Sequence, residues 1–198
     1  MTARRYLVFV TALAVLLGAL PAFSDESASP FDAETEAAWA AAAVPGEAHA
    51  LLASRTGEWQ TTSKMWMEPG GEPMTMTADS SAEMILGGRF LLEKVKGTVM
   101  GMPFDGIGLT GYDNTTHVVT SVWVDTQGTV MSIMTGVYEK IGEPMELFGS
   151  LTDPITGQEI KTRTVTTFGG DDAHTMDYFM TMGDMPEMKA MEMVYTRK

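Results

Sequence analysis

From Gly57 to the C-terminus, apolar and polar side chains alternate with a period of two, in short runs separated by turn residues. That spacing predicts strands near 57–67, 74–86, 89–97, 104–112, 117–125, 129–139, 145–151, 159–168, 174–182 and 188–197. Threonine, valine, methionine and aromatic residues fill these runs, as a pleated and half-buried surface prefers. Between them stand Pro69-Gly70-Gly71, Gly87-Gly88, Gly101-Met102-Pro103, Asp113-Asn114, Gln127-Gly128, Gly142-Glu143-Pro144, Asp153-Pro154, Gly169-Gly170 and Asp184-Met185-Pro186. Connections this short join antiparallel neighbours, and about ten strands leave two open edges unless the sheet closes. The pattern therefore predicts an all-β chain, an up-and-down antiparallel barrel of about ten strands, with a two-sheet sandwich as the alternative. Several rows are apolar on one face: Met191, Met193 and Tyr195; Met176, Tyr178, Met180 and Met182; Ile107 and Leu109; and Val118, Thr120, Val122 and Val124. In a barrel one face is lumen and the other solvent, so these rows are expected to point inward.

Ahead of the strands the period is helical. Asp32 precedes an alanine-rich stretch to Ala43, a helix capped by the aspartate; Pro45-Gly46 breaks it, and a second short helix runs from Glu47 to Arg55. The chain opens differently again, with Arg4 and Arg5, an apolar run from Tyr6 to Leu20, and small residues at Ala22 and Ser24. This is the form of a secretory signal peptide, and the run is shorter than the ~20 residues of a membrane span. The organisation predicted is a signal peptide at 1–24, a leader and helix at 25–46, and the barrel domain at 47–198. The location that follows is exported, periplasmic or extracellular, with no stable membrane insertion after cleavage.

Composition narrows the partners. The formal net charge is −13, and becomes more negative once Arg4 and Arg5 leave with the leader. So acidic a chain repels phosphate backbones, and nucleic acid is excluded as a partner. There is no cysteine, so packing alone must hold the fold in an oxidising compartment.

At Gly57-Glu58-Trp59, after a short helix and with Arg197 in the last strand, the chain resembles the calycin arrangement of lipocalins and fatty-acid-binding proteins. The resemblance implies a calycin-like barrel whose Trp59 plugs one end, with Arg197 packed over the indole. A wider set of stretches resembles the bacterial domain-of-unknown-function family 1579: His49-Ala-Leu-Leu52, Leu86-Gly-Gly-Arg-Phe90, Phe104-Asp-Gly106, Gly111-Tyr-Asp113, Trp123-Val-Asp125, Asp153-Pro-Ile-Thr-Gly157 and Lys189 to Arg197. They run from His49 to the C-terminus. That family brings the fold, but no established activity and no agreed catalytic residues.

Candidate chemistry is sparse. Gly106-Ile-Gly-Leu-Thr-Gly111 matches G-x-G-x-x-G in letters, but turn residues follow it where a dinucleotide site needs a helix N-terminus. The bland account is glycines easing close packing. No histidine pair among His49, His117 and His174 has zinc-ligand spacing. Methionine is the loudest feature, at 18 residues, with the series Met180, Met182, Met185, Met188, Met191 and Met193 near the C-terminus. Thioethers suit Cu(I), but strand methionines are also what an apolar lumen looks like. Asn114-Thr115-Thr116 is a glycosylation sequon, relevant only to eukaryotic secretion.

The leading expectation is an exported barrel that binds a small apolar or amphipathic molecule without a cofactor. Its expected lining is Trp59, Trp66, Trp123 and Tyr178 with the strand methionines; Arg89, Asp125 and Arg163 are candidates, with Glu192, for lumen charges that orient a polar head. Gly57, Trp59 and Arg197 form the structural signature. The alternatives are a Met-rich Cu(I)-binding protein of the cell envelope, and an enzyme with His117 or His174 beside a carboxylate at the barrel mouth.

Overall fold

The computed structural model describes residues 31–198; the segment expected to be a signal peptide, 1–24, and residues 25–30 of the expected leader lie outside the described residues. Two helices, α1 (Ala33–Ala43) and α2 (Glu47–Ala53), precede ten strands. These are β1 (Gly57–Met65), β2 (Met74–Ile85), β3 (Phe90–Val99), β4 (Met102–Asp113), β5 (Val118–Asp125), β6 (Ser132–Val137), β7 (Met145–Thr152), β8 (Glu159–Phe168), β9 (Ala173–Met182) and β10 (Met188–Arg197). Each strand pairs antiparallel with its sequence neighbour, and β1 pairs with β10, so the sheet is a closed up-and-down barrel. Closure leaves no strand edge exposed, which answers the edge problem without disulfides.

Local chemistry sets the helices. Asp32 Oδ1 accepts the Thr35 N–H at 2.8 Å at the start of α1. At the start of α2, His49 Nδ1 accepts the Gly46 N–H at 3.1 Å. Asn114 donates to the carbonyls of Ala42 and Val44, tying the end of α1 to the β4–β5 turn. The second helix packs against β2, β3 and β4 and closes one end of the barrel. β6 is shorter than the alternation suggests, because residues 138–144 turn around the Tyr138 hydroxyl, which donates to Glu143 O and accepts from Gly142 N–H.

Register shows which face is which. From Trp59, the inward phase runs through Ser80, Val95, Gly106 and Asp125 across β2 to β5. Val119, Met134, Tyr138, Met145 and Leu147 form the core cluster on this inner side. The rows of β9 and β10 point inward as expected, with Tyr178 and Met176 opposite Met191 and Met193. The rows of β4 and β5 do not. Ile107 pairs with Val124, Leu109 with Val122, and Asp113 with Val118, all on the outer face. Ile107 is 46% exposed. Their inward counterparts are Gly106, Gly108, Thr110, Ser121, Trp123 and Asp125, a smaller and more polar set. The more apolar row is outside because the lumen at these strands is occupied by aromatic rings that need glycines opposite them.

Candidate functional site

The two ends of the barrel differ: one is a fully buried floor, and at the other the inward side chains are only half-buried. At the floor, Trp59 is 1% exposed and its Nε1 donates to Arg55 O at 2.9 Å. The Arg197 guanidinium lies 4.1 Å above the indole centroid. It also donates to Thr56 O, Ser54 O and Asp171 O, so it caps the C-terminal end of α2 while covering the tryptophan. Gly57 stands at φ 118°, and a Cβ there would come within 2.5 Å of Arg197 Nη1. The glycine is required by both its backbone angle and its neighbour.

Beneath this lid lies a buried polar group. Ser80 Oγ donates to Glu93 Oε1 at 2.7 Å, and Arg55 Nη2 is 3.6 Å from Glu93 Oε2. The His174 ring stacks on Tyr195 at 4.1 Å and meets Trp59 edge-on at 4.7 Å. Burial, then the Glu93 carboxylate, pushes the Tyr195 phenol far above its ordinary value. Two polar atoms here, Arg55 Nε and His174 Nε2, are buried without a hydrogen-bond partner. Such atoms are uncommon in folded proteins, because each costs desolvation with nothing in return.

Toward the other end the inward side chains are less completely covered. Met65, Met74, Met76, Trp123, Met180, Met182, Met191 and Met193 face inward, yet all are half-buried rather than buried. Trp123 Nε1 donates to Asp125 Oδ2 at 2.7 Å, and Phe104 stacks beside its indole. Burial raises the Tyr178 phenol, which lies between these two regions.

The expected lining residues divide accordingly. Trp59 belongs to the floor; Trp123, Asp125 and Tyr178 face the lumen. Trp66 lies just past β1, half-buried, its N–H donating to Ala190 O. Arg163 does not line the lumen. Its register partners Phe148 and Phe179 are on the outer face, where it bridges Glu187 and Glu146 and covers the Phe179 ring at 4.1 Å. Arg89 sits in the β2–β3 turn, donating to Leu86 O, and Glu192 is outward, facing Lys64 and Lys189. Within the C-terminal methionine series, Met185 is in an exposed turn, apart from the inward five. His117 bonds the Tyr112 hydroxyl at 2.8 Å in the β4–β5 turn, and His174 lies at the closed floor against Trp59 and Tyr195.

The family described as "Protein of unknown function (DUF1579)" matches residues 44–197. The chain belongs to this family. The DUF1579 unit thus begins just before α2 and ends at Arg197, so it contains the whole barrel with its Trp59–Arg197 lid. Among solved structures, the crystal structure of Rv2717c from M. tuberculosis is similar, with TM-score 0.57 and 19% identity over 78% of this chain and 99% of that one. At that identity the likeness shows the shared barrel fold. No curated protein matches the chain.

The floor cluster is the part of this DUF1579 barrel that sequence reading missed. Arg55 of the α2–β1 turn, Ser80 of β2, Glu93 of β3 and Tyr195 of β10 are far apart in sequence, and nothing local joins them. One signal was present: Glu93 falls on the same phase of β3 as Leu91 and Val95, and a carboxylate in a buried row requires a partner.

Proposed function

We propose that the DUF1579 barrel is an exported binding module that takes a small apolar or amphipathic molecule into its lumen. The observation that carries this reading is the half-buried state of inward-facing side chains in a closed barrel. An interior filled by its own side chains would bury them, as it does at the floor. The polar floor suits an oxygen-bearing head group, since Arg55 Nε offers an unused donor. Export rests on the sequence of residues 1–24. No helix among the described residues is long and apolar enough to cross a membrane. The outer faces of β1, β2, β8 and β10 carry Glu58, Lys64, Asp79, Lys161 and Glu192, which leaves no continuous apolar girdle of the kind a membrane barrel needs.

The test pairs native mass spectrometry of the purified chain with titration by a fluorescent fatty acid, read as energy transfer from Trp123. Ser121→Trp projects a large ring into the lumen and is expected to weaken uptake roughly tenfold or more, about 1.4 kcal/mol. Val122→Lys, on the outer face, should leave uptake unchanged. The reverse outcome would place the site outside the barrel and end the lumen reading.

A further inference from the structure

We propose that the wide end of the lumen carries a Cu(I) site built from methionine thioethers, centred on Met65, Met74 and Met191. Met65 of β1 is directly opposite Met74 of β2 on one side and Met191 of β10 on the other. Directly opposed residues of adjacent strands hold their Cβ atoms roughly 4.5–5.5 Å apart. Three flexible thioethers in one cross-strand row, all on the inward phase, can therefore bring their sulfurs to a common point. Met76 and Met193 flank the row across Ser63 and offer further sulfurs.

The fold goes out of its way to gather these side chains. Met188 and Met191 are three residues apart, which in a regular strand puts them on opposite faces. The β10 ladder shifts register between Lys189 and Met191, so Met188 faces Met180 and Met191 faces Tyr178, both inward. Most inward methionines are on the adjoining strands β9, β10, β1 and β2; on the opposite wall Met134 and Met145 are fully buried beside Val119 and Leu147. Ordinary packing explains thioethers in a sealed core, but those of β9, β10, β1 and β2 are half-buried and reachable. β2 and β3 stop pairing beyond Ala78 and Gly97, and a cleft of about 490 Å³ opens there with Met74 and Met76 on its wall.

Ligand chemistry selects the metal. Thioether sulfur is soft and uncharged, so it favours Cu(I) over Zn(II), Mg(II) or Ca(II). Among the described residues no group of three His, Cys, Asp or Glu side chains is placed to hold a metal, so hard divalent ions find no rival site. The net charge of −13 raises the local concentration of any cation near the chain. This assignment goes beyond apolar-ligand binding and does not depend on it, since a barrel that takes up Cu(I) and no lipid is fully consistent with it.

The test is anaerobic titration of the mature chain with Cu(I) held by a chromophoric chelator, with Zn(II) as the hard-ion control. The expected result is withdrawal of about one equivalent of Cu(I) and none of Zn(II). The triple variant M65L/M74L/M191L conserves side-chain volume and should lose roughly tenfold or more in affinity. Leucine at the exposed Met67, Met131 and Met185 should change nothing. In the unmutated chain, a few methionine methyl resonances should move on adding Ag(I), a redox-inert stand-in, while the rest stay fixed. The proposal is overturned if no Cu(I) is withdrawn, if the wall variant binds like the parent, if the surface variant loses as much, or if all methyls shift alike.

Discussion

At the residue scale, His174 shows how the floor couples to pH. The imidazole is 3% exposed, stacked on Tyr195, and its Nε2 has no partner. Burial first, then the nearby Arg55 and Arg197 cations, holds its pKa down to about 3 from an ordinary 6.5. The folded chain therefore resists a proton that the unfolded chain accepts. Stability is fully present above pH 6.5 and declines as the pH falls toward about 3. Between pH 7 and pH 5 this one group should remove about 2 kcal/mol. His174→Phe keeps an aromatic ring against Tyr195 and removes the titration. Urea unfolding at both pH values should show the parent losing that much more stability than the variant between them. Equal losses would mean that His174 is protonated, or solvated, in the folded state. Nothing local in the sequence announces this environment: Asp171-Asp172 precede His174 and suggest an acidic, exposed setting, but strand register turns the ring inward.

At the element scale, β4 explains both a misleading motif and a misjudged face. Gly106 and Gly108 lie under the Trp123 indole, where a Cβ would clash with it at Gly106 and meet it at 3.3 Å at Gly108; at Gly111 a Cβ would come within 2.7 Å of the Phe90 ring on the other side. The G-x-G-x-x-G letters record two aromatic rings packed flat on a strand, on opposite faces of the sheet. Period-two alternation was legible along the whole barrel, and the ten predicted strands match the ten observed within a few residues. Alternation fixes two faces without saying which is inner, however. The row of Val118, Val122 and Val124 reads as core by hydropathy alone, and only the register through Trp123 and Gly108 shows that it faces outward. Gly106→Ala should push the indole off the strand, costing about 1–3 kcal/mol as overpacking does, while Gly108→Ala costs less. Denaturation midpoints check the order of the two, and the Trp123 emission maximum should shift in Gly106→Ala. Equal midpoints for both variants and the parent would contradict the packing seen here.

At the scale of the whole molecule, the barrel has two unlike outer sides. Strands β8, β10, β1 and β2 carry charges of both signs outward, including Lys161, Arg163, Glu192, Lys64 and Asp79. The outer faces of β5 and β6 carry Val118, Thr120, Val122, Val124, Ile133, Thr135 and Val137, with no ionisable side chain, in a chain of net charge −13. Leu92, Leu109, Val122 and Ile133 form one unbroken cross-strand row there. The closed barrel was readable from the sequence because turns and alternation are local signals. This asymmetry was not, because it depends on which strands sit side by side and which phase faces water. An aliphatic wall of this kind should dominate adsorption to apolar surfaces despite the strong overall charge. The double variant Val122→Lys with Ile133→Lys should elute markedly earlier from a phenyl hydrophobic-interaction column. Its stability should change by about 1 kcal/mol or less, since Ile133 is 52% exposed and surface substitutions are mild. Ser121→Trp, one residue away but on the inner phase, should elute with the parent. If the lysine variant is retained as strongly as the parent, adsorption runs through another part of the molecule and the outer wall is not the dominant apolar face.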